Sequence, residues 1–127
     1  MFTGSPPRVE CLKKSRRAAR ELALNILYQV DACGMPFDEA VQTALEFADL
    51  SELDTKSVNR SEEARAYATS VVNGVKAKLE ELDGHISKLA LGWPTDRQPA
   101  VDRNILRLAA YELLEGQVIY KSISYLR

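Results

Sequence analysis

Residues 16–29 read Arg16-Arg17-Ala18-Ala19-Arg20-Glu21-Leu22-Ala23-Leu24-Asn25-Ile26-Leu27-Tyr28-Gln29, and their spacing decides the fold class. Ala19, Leu22, Ala23, Ile26, Leu27 and Val30 recur at i, i+3 and i+4, which builds one apolar face on an amphipathic helix. Ser15 suits the N-cap, and Gly34 followed by Pro36 marks the end. Residues 1–14, with Pro6 and Pro7, read as a flexible leader.

Outward from this helix the same period returns. A second helix is predicted over 36–48, with Phe37, Val41, Ala44, Leu45 and Ala48 on one side. After a polar loop, Asn59 or Ser61 caps a third, whose stripe is Ala64, Tyr67, Ala68, Val71, Val72, Val75, Leu79 and Leu82. A short fourth helix holds Ile86, Leu89 and Ala90 and stops at Gly92-Trp93-Pro94. Pro99 opens a fifth, carrying Val101, Ile105, Leu106, Leu108, Ala109 and Leu113 to about Glu115. No long segment alternates with the period of two that strands require. The expectation is an all-α bundle of about five amphipathic helices, forming one domain over 15–127.

Composition narrows the function. With 46% apolar and 28% charged residues the chain reads as a globular, soluble protein. A net charge of −1 excludes a globally basic nucleic-acid binder, so such a contact must come from a local patch. Cys11, Cys33 and His85 make neither a zinc site nor a disulfide scaffold, which suggests no metal and a cytoplasmic location. No apolar run approaches the length of a membrane span. GxSxG, HExxH and glycine-rich phosphate loops are absent, so neither an enzyme nor a cofactor is expected.

The candidate site is basic. Lys13, Arg16, Arg17 and Arg20 fall within an arc of about 100° on the first helix, and the apolar stripe is centred on the order of 110° away from it. They sit near a helix N-terminus, where the dipole disfavours cations, so they serve something other than helix stability. Spacing leaves two readings open, a solvated face or a phosphate-binding one. Tyr28 lies about 20° from Arg17 on the wheel, at the edge of the apolar stripe. On the fifth helix, Asp102 and Glu112 fall inside the apolar arc, where a carboxylate needs a partner or an interface. For Asp102 the choice is an internal salt bridge with Arg17, Arg20 or Arg97, or a contact with another molecule.

Two blocks carry a family resemblance. Residues 16–29 are similar to the opening RRxARExAhxhLYQ pattern of the NusB family, and Gly92 through Leu114 resembles its W…DR…VDRxILRLAxYEhL stretch. The resemblance implies a helical, non-catalytic RNA-binding transcription antitermination factor. It would bind boxA-type single-stranded RNA of ribosomal RNA leaders together with the ribosomal protein NusE, inside an antitermination complex on RNA polymerase. By position, Arg16, Arg17 and Arg20 would contact RNA, with Lys13 beside them, and Tyr28 and Asp102 would face NusE. Two alternatives have the same helices: the NusB-like RNA-binding module of a ribosomal RNA methyltransferase, and a helical protein–protein adaptor. After Leu114 the chain departs from the family pattern, which implies that two C-terminal helices are missing. The fifth helix is apolar over an arc of about 160°, so an uncovered patch, a homodimer through it, or a fold-back of 117–127 is expected.

Overall fold

The computed structural model describes residues 7–57 and 59–115, with side chains for 14–57 and 59–115. Five α-helices follow in order: α1 Pro7–Cys33, α2 Phe37–Phe47, α3 Arg60–Ala77, α4 Leu79–Leu89 and α5 Ala100–Leu114. Short 3-10 turns at Ser51–Leu53 and Thr95–Arg97 interrupt the links. Among the described residues there is no strand, only an isolated bridge between Asp54 and Asn59. The all-α expectation holds.

Two boundaries differ from the sequence reading. α1 begins at Pro7, not at Ser15. A proline suits the first turn because its fixed φ is helical and its missing N–H would have no partner there. Ser15 is therefore no cap; it lies buried inside the helix. The second difference is a break within the long third stripe. At Lys78 (φ −113°, ψ 22°) the chain turns out of α3, so Leu79 and Leu82 belong to α4. The apolar period runs through the break, and the pattern alone could not show it. Asn59 is the α3 cap, accepting from the Glu62 N–H. Gly34 takes a left-handed φ of 67° just after α1, the conformation its lack of a Cβ favours.

The core is a seam between α1 and α3, closed by α4 and α5. Ala19 and Ala23 of α1 and Ala64 and Ala68 of α3 are fully buried, and their size lets the two backbones approach closely. Ile26, Val71, Val72, Val75 and Leu82 fill the seam, each large aliphatic side chain contributing about 1.5–3 kcal/mol by leaving water. α5 docks through Leu108 and through Tyr111, whose ring lies over Gly74; a Cβ there would stand 2.1 Å from the ring.

A polar clamp ties α5 to α1 and α4. Asp31 near the end of α1 accepts from Arg103 Nε at 2.7 Å, from Asn104 Nδ2 at 2.9 Å and from Arg107 at 3.3 Å. Arg107 also grips Asp83 of α4 with two bonds of 2.8 Å. Burial alone would raise the Asp31 carboxyl, but the bonds from Arg103 and Asn104 and the charges of Arg103 and Arg107 outweigh it and hold it below its ordinary value. The outer side of α5 keeps Val101, Ile105, Leu113 and Leu114 between 43% and 51% exposed. The segment 117–127, one expected cover, lies outside the described residues.

Candidate nucleic-acid interface

The N-terminal half of α1 presents its cations in three different states. Arg17 is free: its side chain is 85% exposed and meets only Glu21, at 3.8 Å. Such an exposed pair one turn apart is worth a few tenths of a kcal/mol and yields readily to another anion. Lys14 is also exposed, and it shares a shallow hollow with Arg17, Ala18, Glu21, Glu52 and Leu53. The carboxylates in that hollow leave the face only locally basic. The side chain of Lys13 lies outside the described residues.

Arg20 is anchored. Its Nε donates to both oxygens of Glu112 on α5, at 2.9 and 3.0 Å. Glu112 is 1% exposed and also accepts from the Tyr67 hydroxyl on α3. Burial, then the hydrogen bond to Glu112 and its charge, push the Tyr67 phenol up to about 12, so it remains a donor at neutral pH. Among the described residues Nη1 and Nη2 of Arg20 bond nothing, and the side chain is 31% exposed. The guanidinium thus has one edge fixed and one edge available.

Arg16 is stacked. Its guanidinium carbon lies 3.7 Å from the centroid of the Tyr67 ring. Its Nε is buried and bonds nothing among the described residues, so the ring is what holds it. Arg16, Tyr67, Glu112 and Arg20 therefore form one connected group beneath the basic face, drawn from α1, α3 and α5.

The sequence reading singled out Arg16, Arg17 and Arg20, flagged Glu112 and offered Arg20 among three arginines that could pair a carboxylate in that arc, but it did not choose among them and took Tyr67 as plain core. The signal was there: a carboxylate inside the apolar arc of α5 requires a buried cation, and Arg20 edges the apolar stripe of α1. Which helix met which was not legible.

The second candidate patch lies further along α1. Tyr28 is half-buried and lines a shallow, mostly apolar hollow with Glu21, Leu24, Asn25 and Val101. Val101 precedes Asp102, which is half-buried. The internal salt bridge allowed for Asp102 is not formed: Arg17 goes to Glu21, Arg20 goes to Glu112, and Arg97 makes none with it among the described residues. Clusters able to hold a metal ion are absent among the described residues. No helix described is long and apolar enough to cross a membrane.

Comparison with known proteins agrees with this architecture. A transcription antitermination protein NusB from Symbiobacterium thermophilum is 40% identical over 110 residues, covering 87% of this chain and 71% of that protein. Another NusB, from Salinispora tropica, is 38% identical over 100 residues, covering 79% of this chain and 67% of that one. Among solved structures, a chain of the "Crystal Structure of a Plectonemic RNA Supercoil" superimposes with a TM-score of 0.68 at 29% identity, covering 86% of this chain and 73% of that one. The NusB family model matches residues 17–123, from the free arginine of α1 past the end of α5. The chain belongs to the NusB family.

Proposed function

We propose that this chain is an RNA-binding transcription antitermination factor without catalytic activity. It takes a boxA-type single-stranded RNA on the basic face of α1 and works with a NusE-type ribosomal protein in a complex on RNA polymerase, in the cytoplasm. The observation that carries the reading is the state of the arginines. Arg17 is unsatisfied by the fold, and Arg20 offers a free guanidinium edge. Planar guanidinium groups suit phosphate oxygens and nucleobase faces. The names of the relatives support the antitermination role. Tyr28 and Asp102 mark the side on which the ribosomal protein docks. The exposed aliphatic residues of α5 provide a surface for self-association.

Binding of a short boxA-type RNA, titrated over a range of salt, tests this directly. Arg17→Ala removes a phosphate contact without touching the buried network. It should weaken binding and lower the salt slope by about 0.7 for a single strand. Affinity that is independent of salt, or unchanged in Arg17→Ala, would overturn the reading.

A further inference from the structure

The basic face is supported from below by two residues that contribute no positive charge. Arg16 has no hydrogen bond among the described residues, and its buried Nε is unsatisfied. What fixes its plane is the Tyr67 ring, 3.7 Å away. Arg20 is fixed along its Nε edge by both oxygens of Glu112. The Tyr67 hydroxyl donates to the same carboxylate, so the support for one arginine is tied to the support for the other. A side chain with several free torsions loses rotamer entropy when it engages a ligand. For Arg16 and Arg20 much of that loss is already made in folding; for Arg17, which is 85% exposed, it is not.

We propose that Tyr67 and Glu112 are positioning residues of the RNA site: Tyr67 holds the Arg16 guanidinium as a stacking platform for a nucleobase, and Glu112 turns the free edge of Arg20 toward a phosphate. This rests on the proposed RNA binding at α1. Arg16 carries the ring on one side and is half-buried rather than enclosed; a base would stack on the other side. Arg17 supplies charge whose direction is not set. Of the three arginines, one is then loose and two are aimed, and only the aimed ones need the shape of a guanidinium.

Charge and orientation give opposite signs in one variant. Glu112→Gln keeps the shape of the side chain and removes a negative charge close to the site. If net charge alone governed affinity, it would bind RNA more tightly. The positioning role has it bind several-fold more weakly, because a neutral amide holds Arg20 poorly. The experiment is fluorescence anisotropy with a short labelled single-stranded RNA, each variant first shown to be folded by its thermal melt.

Lysine replacements form the second arm. Arg16→Lys and Arg20→Lys should lose about tenfold in affinity, with salt slopes held because the charge is kept. Arg17→Lys should lose several-fold less. Tyr67→Leu should lose about tenfold, and Tyr67→Phe should recover most of it because the ring under Arg16 is restored. The double variant Tyr67→Leu, Arg16→Lys should bind no worse than the weaker single variant, since both break one unit.

Tighter binding by Glu112→Gln, equal losses at the three arginines, or additive losses in the double variant would each overturn the inference. If Tyr67→Leu does not fold, the lysine series and Glu112→Gln decide. The two readings fail differently. Wild-type protein without salt-dependent RNA binding removes the function and this inference with it. RNA binding that is weakened by Arg17→Ala yet indifferent to Tyr67 and Glu112 leaves the function standing and removes only the positioning.

Discussion

Asp31→Asn tests how α5 is held. One oxygen of Asp31 accepts from Arg103 at 2.7 Å, Asn104 at 2.9 Å and Arg107 at 3.3 Å. The amide keeps the shape and one acceptor but loses the charge. The consequences for the two arginines are unequal. Arg107 retains its two-bond grip on Asp83, and Arg103 retains the Thr95 and Gln98 carbonyls at 2.9 and 3.1 Å. Neither is orphaned, so the full cost of an unpaired buried charge does not apply. What remains is the loss of a charge-assisted contact, about 1.5–3 kcal/mol. For a chain of this size, at about 4 °C per kcal/mol, that lowers Tm by about 6–12 °C.

The acid dependence separates this from generic damage. The Asp31 carboxyl titrates lower in the folded chain than its ordinary 3.8. Its contribution is therefore complete above that value and falls away as pH drops through it and then through the folded value. Denaturant unfolding of wild type and Asp31→Asn at neutral pH, then at the lowest pH where both still unfold cooperatively, should show the gap narrowing. A neutral-pH difference below about 0.5 kcal/mol, the ordinary range for surface substitutions, would refute the clamp. So would a gap that stays constant into acid.

Other perturbations follow from the same contacts. Gly74→Ala places a Cβ 2.1 Å from the Tyr111 ring and should cost about 1–3 kcal/mol, outweighing the helix propensity it gains; adding Tyr111→Leu should return much of that loss in a chemical melt. Leu82→Ala empties a fully buried position and should cost about 3–5 kcal/mol, measured by urea unfolding. The Tyr67 phenol, raised to about 12 by burial and by Glu112, favours the folded state only while protonated. Stability should thus decline as pH climbs above the ordinary value of 10.0, with Tyr67→Phe removing part of that decline.

The sequence by itself determined the class of fold and the elements. Helical period is a local property, written in residues three and four apart, so Ala19 to Val30 and Val101 to Leu113 disclose their helices without reference to any neighbour. The basic arc on α1 was legible for the same reason, and so was the oddity of Glu112 within an apolar arc. Boundaries were less secure where one pattern ran through a break. The stripe from Ala64 to Leu82 gave no sign of the turn at Lys78, because the apolar residues on both sides face the same core.

Only the tertiary structure decided which arginine is which. Arg16, Arg17 and Arg20 are alike in sequence, and their difference arises from residues far along the chain that α3 and α5 bring beneath them. Arg20 meets Glu112, Arg16 meets Tyr67, and Arg17 meets only Glu21, one turn along its own helix. Asp31 and Asp83 likewise acquire Arg103 and Arg107 only once three helices have packed. Periodicity says which side of a helix turns inward, but it does not say what waits there. That depends on crossing angles and registers set by the packing of Ala19 and Ala23 against Ala64 and Ala68, a long-range agreement of shapes that no short window of sequence contains.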